Sequence, residues 1–123
     1  MAAPNLVSPT TINGKTVQVN LSTTSATSVL SNAASSGKVL KVNALYVANT
    51  TASPANITIN QYSAAALGGT AYPIASTVAV PGNATLVVID KDAYVYLEEN
   101  TSLGATAGTG SALQIVCSYE DIS

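Results

Sequence analysis

Leu113-Gln114-Ile115-Val116-Cys117-Ser118-Tyr119-Glu120 puts Leu, Ile, Cys and Tyr on one parity and Gln, Val, Ser and Glu on the other. A period of two is the repeat of an extended strand with one face turned to a core. The pattern recurs upstream. Val17, Val19 and Leu21 alternate with Thr16, Gln18 and Asn20; Ile57 and Ile59 alternate with Asn56, Thr58 and Asn60. Leu40, Val42, Ala44 and Tyr46 alternate with Lys41, Asn43 and Leu45. Leu86-Val87-Val88-Ile89 is apolar on both faces and predicts a central strand. Tyr94-Val95-Tyr96-Leu97 alternates aromatic with aliphatic, which suits two differently packed faces.

Turn-forming clusters separate these runs. Asn13-Gly14 predicts a hairpin turn, because Gly accepts a positive φ and Asn tolerates it. Ser35-Ser36-Gly37, Thr51-Ala52-Ser53-Pro54, Gly68-Gly69, Pro81-Gly82-Asn83 and Gly108-Thr109-Gly110 mark further turns. Ala64-Ala65-Ala66-Leu67 has the composition of one helical turn that Gly68-Gly69 would stop. The spacing predicts an all-β chain: a single antiparallel β-sandwich, Ig-like or jelly-roll-like, of seven or eight strands over residues 13–123. Residues 1–12, with Pro4 and Pro9 and no strand pattern, read as an extended N-terminal arm.

With 123 residues the chain has the length of one domain. Leu, Ile and Val fill 30 positions, enough for a core. Charged residues are 8% of the chain, about a third of the usual share, and Arg, His, Trp and Phe are absent. Without His there is no Ser-His-Asp or Cys-His arrangement, no ordinary general base near neutrality and no His-based zinc site. No catalytic residue, cofactor or metal ligand is assigned. Four Lys (Lys15, Lys38, Lys41, Lys91) are too few for ordinary nucleic-acid binding. The uncharged stretch between Lys41 and Asp90 holds no run of about 18 apolar residues, so no membrane span is expected. Residues 1–5 lack the pattern of a signal peptide, and synthesis in the cytoplasm is the expectation. The single Cys117, in an apolar alternating run, is expected to be a small core residue.

Five Asn-x-Ser/Thr triplets (Asn20, Asn49, Asn56, Asn83, Asn100) reflect a chain with ten Asn and 29 Ser or Thr. Asp90-Lys91-Asp92 reads as a polar cap between two apolar strands rather than a cation loop. Six Tyr are the only aromatics, and Tyr suits half-buried sheet positions and interfaces. If Val95 and Leu97 face the core, Tyr94 and Tyr96 form an exposed contact surface. Residues 1–89 carry net +3 and residues 90–123 net −5, summing to −2. Opposite faces of neighbouring copies could then set register by charge. Such a nearly neutral surface of short side chains favours assembly over a freely diffusing existence.

Tyr96-Leu97-Glu98-Glu99-Asn100-Thr101-Ser102-Leu103, a Gly-rich turn and then Leu113–Ser123 resemble the C-terminal third of small virion structural proteins of tailed bacteriophages, notably marine and cyanobacterial ones. Ala3-Pro4-Asn5-Leu6-Val7-Ser8-Pro9-Thr10-Thr11-Ile12 resembles the opening of such proteins. The resemblance implies a non-enzymatic β-sandwich on the particle: capsid cement or decoration, or a neck or tail component. The expected partners are the major capsid protein, other virion proteins or further copies, and the expected location is the virion, assembled in the host cytoplasm. The expected contact residues are Leu6, Val7 and Ile12 in the arm, Tyr94 and Tyr96 on the sheet, and Lys38 and Lys41 as orienting charges. The alternative is a carbohydrate-binding or host-recognition module in a neck, tail or fibre complex. An enzyme ranks third.

Overall fold

A computed structural model describes residues 4–123. Nine strands follow one another: β1 (Ile12–Leu21), β2 (Thr27–Asn32), β3 (Val39–Asn49), β4 (Ala55–Ala64), β5 (Gly68–Val80), β6 (Thr85–Ile89), β7 (Val95–Leu97), β8 (Thr101–Ala107) and β9 (Leu113–Ile122). One sheet runs β1-β9-β3-β6, with β7 also on β3; the other runs β2-β8-β4-β5. Every ladder is antiparallel. β6 and β7 both lie on the far side of β3, at Leu45–Ala48 and Leu40–Val42, and so occupy one strand position. Counted that way there are eight positions, nested first with last, second with seventh, third with sixth, fourth with fifth. This is the winding of a jelly roll, which decides between the two sandwich types expected. The ninth strand arises because Asp90 interrupts the sixth position: its carboxylate accepts from the N–H groups of Asp92 and Ala93 and caps a 3₁₀ turn at Lys91–Ala93.

The inner parities of both sheets form the core. Val17, Val19 and Leu21 pack from β1, Leu40, Val42, Leu45 and Val47 from β3, and Leu113, Ile115 and Cys117 from β9. Ile57 and Ile59 of β4 and Leu103 of β8 meet them from the other sheet. Cys117 is fully buried, as its pattern predicted.

Four local expectations change. Asn13-Gly14 is not a turn: both residues lie inside β1, opposite Asp121 and Glu120, and Gly14 does not take a positive φ. The C-terminal strand provides a full-length partner, and ten paired residues outweigh a local turn preference. Ile12 accordingly belongs to β1 and pairs with Ile122 instead of ending an arm. Residues 5–11 before it are folded back, not extended, while residues 1–3 of the expected arm lie outside the described residues. The Asn5 side chain accepts from Val7 N–H at 3.0 Å, Ser8 N–H bonds the Asn5 carbonyl at 3.1 Å, and Thr10 and Thr11 N–H groups both bond the Ser123 carbonyl. β6 is an edge strand, not a central one, with Val87 half exposed. Ala65–Leu67 make a tight turn between β4 and β5, with Ala66 and Leu67 at φ 56° and 60°, rather than a helical one.

Candidate functional site

The outer face of the five-stranded sheet gathers most of the expected contact residues. β3 carries a bulge between Val42 and Ala44, where it pairs with Tyr119 and Ser118 of β9. The bulge reverses parity along the strand. Leu40 and Val42 point inward before it and Leu45 and Val47 after it, so Tyr46 is turned out to solvent, opposite to its sequence-predicted face. Outward rows therefore cross the sheet. One reads Tyr96, Lys41, Glu120, Gly14 over β7, β3, β9 and β1. Another reads Val87, Tyr46, Val116, Gln18 over β6, β3, β9 and β1. Small residues separate them: Ala44, Ser118 and Thr16.

Tyr94 stands at the end of the 3₁₀ turn and Tyr96 in β7; both are exposed, while Leu97 is buried beneath. Their rings meet edge to face, with centroids 5.4 Å apart and planes at 84°. The Lys41 ammonium sits 4.5 Å from the Tyr94 ring centroid, a cation–π contact. Between the two aromatic groups lies a hollow of about 350 Å³ lined by Lys41, Asn43, Ala44, Tyr46, Asp90, Lys91 and Glu120.

The arm joins the same face. Val39 and Ile122 are paired with each other and share the outward parity, yet both are buried. Pro4 and Leu6 border a cleft of about 460 Å³ with Val39, Tyr96, Glu98 and Glu99, so the folded arm lies over this corner of the sheet. Leu6 remains half exposed and Val7 is 91% exposed.

Lys38 lies elsewhere. Its ammonium bonds Asp121 Oδ2 at 3.3 Å, and Lys15 bonds the same oxygen at 3.1 Å. Asp121 is on the inner parity of β9, nearly buried at the mouth of the sandwich beside Asn32, Ser36 and Tyr119. Burial pushes its carboxyl pKa up, but the two lysine hydrogen bonds and charges outweigh that and hold it below the ordinary carboxylate value. Lys15 is raised in turn by its bond to Asp121. Within the chain, Lys38 thus already has an acidic partner. Burial also pushes the Cys117 thiol up to about 12, which leaves it protonated and inert at neutral pH.

The structure brings Leu6, Lys41, Tyr94 and Tyr96 onto one face, places Ile12 at its edge, and separates Lys38 from them. It adds Tyr46, Val87, Val116 and Glu120, whose common orientation depends on strand pairing and on a bulge that no local pattern announces. Among the described residues no group of three or more His, Cys, Asp or Glu is placed to hold a metal ion, and no helix is long and apolar enough to cross a membrane.

No protein-family model matches the chain, and no curated protein sequence matches it. Among solved structures it is similar to a protein described under "Bacillus endospore appendages form a novel family of disulfide-linked pili", with a TM-score of 0.51 and 18% identity over 92% of this chain and 88% of that one, a likeness of fold.

Proposed function

We propose that the chain is a non-enzymatic structural subunit of a bacteriophage virion, a capsid decoration or cement protein that stabilises the particle through protein–protein contacts. The observation that carries the reading is the convergence of exposed Tyr94, Tyr96, Tyr46, Val87 and Val116 with the arm's Leu6 on one sheet face. Apolar side chains gathered on one face of a small domain mark an interaction surface. The sequence resemblance to virion proteins supports the choice of assembly. A jelly roll suits the role, being a winding that recurs in viral capsid domains. The similar protein is described among disulfide-linked pili; in this chain Cys117 is the single cysteine and is buried. Mass spectrometry and electron microscopy of purified particles test the proposal. The chain is expected at fixed stoichiometry on the shell, and its absence from particles overturns the reading.

One observation favours the alternative of a carbohydrate-binding module: the hollow beside Tyr46, which combines an aromatic ring with Asn43, Asp90 and Glu120. Tyr94 and Tyr96 do not make a flat stacking platform, since their rings are perpendicular and Lys41 already covers Tyr94. On a glycan array, binding that is lost in Tyr46→Ala would favour this reading over the first.

A further inference from the structure

We infer that the outer face of the five-stranded sheet is a twofold self-contact whose occupant is a second copy of this chain. The inference deepens the assembly reading above by naming a partner for that face. It follows from the order of residues in the transverse rows.

Place a twofold axis in the plane of this face, parallel to the strands and midway between β3 and β9. It exchanges β3 with β9 and the β6/β7 position with β1 at equal height. The row Tyr96, Lys41, Glu120, Gly14 is then met by its own reverse. Each Lys41 faces the Glu120 of the other copy, twice over. Each Tyr96 faces a Gly14, and Gly14 has open space where a side chain would stand, with no atom within 4 Å of a Cβ built there. The row Val87, Tyr46, Val116, Gln18 likewise lays Tyr46 on Val116 from both sides. Such self-complementarity under one rotation is the requirement of an isologous interface. Sheets packing face to face cross at about 30°; pivoted between the two rows, at Ala44 and Ser118, that rotation offsets each row by about 3 Å, within the reach of the Lys41, Glu120 and Tyr46 side chains.

The size is sufficient. Leaving out the Val39–Ile122 corner that the arm covers, four strand positions about 4.8 Å apart and eight residues at about 3.3 Å give roughly 500 Å² per copy. Two copies bury about 1,000 Å² in total, the size at which a specific interface begins. Exposure agrees: Tyr46 and Val116 are each 39% exposed and Val87 is 50%, side chains that the single chain leaves in water.

The test uses the purified full chain in sedimentation equilibrium from micromolar to millimolar concentration. The native chain is expected to dimerise. Lys41→Glu alone sets Glu against Glu, and Glu120→Lys alone sets Lys against Lys; each is expected to raise the dissociation constant at least tenfold. An equimolar mixture of the two single variants restores both pairs and is expected to recover the dimer as a heterodimer. Gly14→Phe, whose Cβ meets no atom of its own chain within 4 Å, fills the site of Tyr96 and is expected to abolish association, with the circular dichroism spectrum unchanged. A native chain that stays monomeric to 1 mM, or variants that fail to complement each other, overturns the inference. Dimerisation in solution and presence on particles are separate readouts, so this proposal and the virion reading can fail independently.

Discussion

At the end of the sandwich where β2 stops, buried Asn32 gives its amide hydrogens to the carbonyls of Lys38 and Leu97 and accepts from Ser36. At the opposite end, where β3 stops, buried Asn49 gives its amide hydrogens to the carbonyls of Ser53 and Val80 and accepts from the N–H and hydroxyl of Thr51. The device is the same: one buried amide replaces the ladder partners that loop backbone groups lose. The electrostatics are opposite. All ten charged side chains lie at the waist or toward the Asn32 end, whereas the loops 22–26, 50–54, 81–84 and 108–112 at the Asn49 end contain none. These loops are mostly exposed, and neutral hydrogen bonds and close backbone approach hold them. Gly82 illustrates this, since a Cβ there would collide with the Ala52 carbonyl. Charge at the other end is paired: Lys15 and Lys38 with Asp121 within the chain, while Lys41 stands opposite Glu120 on the outer face.

The contrast can be broken most directly at Asn49. Asn49→Ala removes a donor from the Val80 carbonyl, leaves the Ser53 carbonyl only the Thr51 hydroxyl and takes the acceptor from Thr51 N–H, and the expected loss is about 2–4 kcal/mol in urea unfolding. Asn32→Ala, with fewer backbone dependents, is expected to cost about 2 kcal/mol. A reversed order would mean that the charged end, and not the neutral one, depends more on its amide.

Asp121→Asn is the next step down, about 1 kcal/mol at pH 7, because Lys15 and Lys38 are half exposed and can return to water. Its pH dependence is the sharper readout. A folded-state carboxyl held below its unfolded value stabilises the protein above the unfolded pKa of about 4. That contribution is lost as pH falls through the folded value. The native chain is therefore expected to lose stability below pH 4 by more than Asp121→Asn does. Lys15, raised in the folded state, contributes fully below the ordinary lysine pKa and loses its share only as pH rises beyond it.

The smallest effect comes from the neutral loops. Thr109→Lys places a charge on an exposed position and is expected to change stability by less than about 0.5 kcal/mol. Raising salt to 0.5 M is expected to weaken the native chain through Lys15, Lys38 and Asp121 while leaving the cost of Asn49→Ala unchanged. A salt-dependent Asn49→Ala would show that the two ends are electrostatically coupled.

Legibility along the chain follows burial. The strands read from the sequence, β1, β3, β4, β6, β7 and β9, have a core parity occupied by Val, Leu or Ile. β2, β5 and β8 escaped the pattern for different reasons. β5 is an edge strand exposed along nearly its whole length, so nothing forces apolar residues onto either face. β8 is buried on both faces and filled with small residues, Ser102, Gly104, Ala105 and Ala107 among them. β2 is a short edge strand with only Val29 and Leu30 to mark it. Tyr94, Tyr96 and Lys41 were legible as surface groups because their neighbours in sequence are core residues. Tyr46 was not, since the bulge at Val42–Ala44 exists only where β9 pairs with β3.

What the sequence alone determined is the class: period-two runs cut by Gly, Pro and Asn turns, in a chain poor in charge and without His. These are local or compositional properties, and each residue carries its share regardless of partners. The jelly-roll winding, the use of Asn13-Gly14 as strand, the pairing of Lys15 and Lys38 with Asp121 over 106 and 83 positions, and the common face of Tyr46, Val116, Lys41 and Glu120 were decided by the tertiary structure. They depend on which strands become neighbours and in what register, a choice made by the summed burial of the whole core rather than by any segment of it.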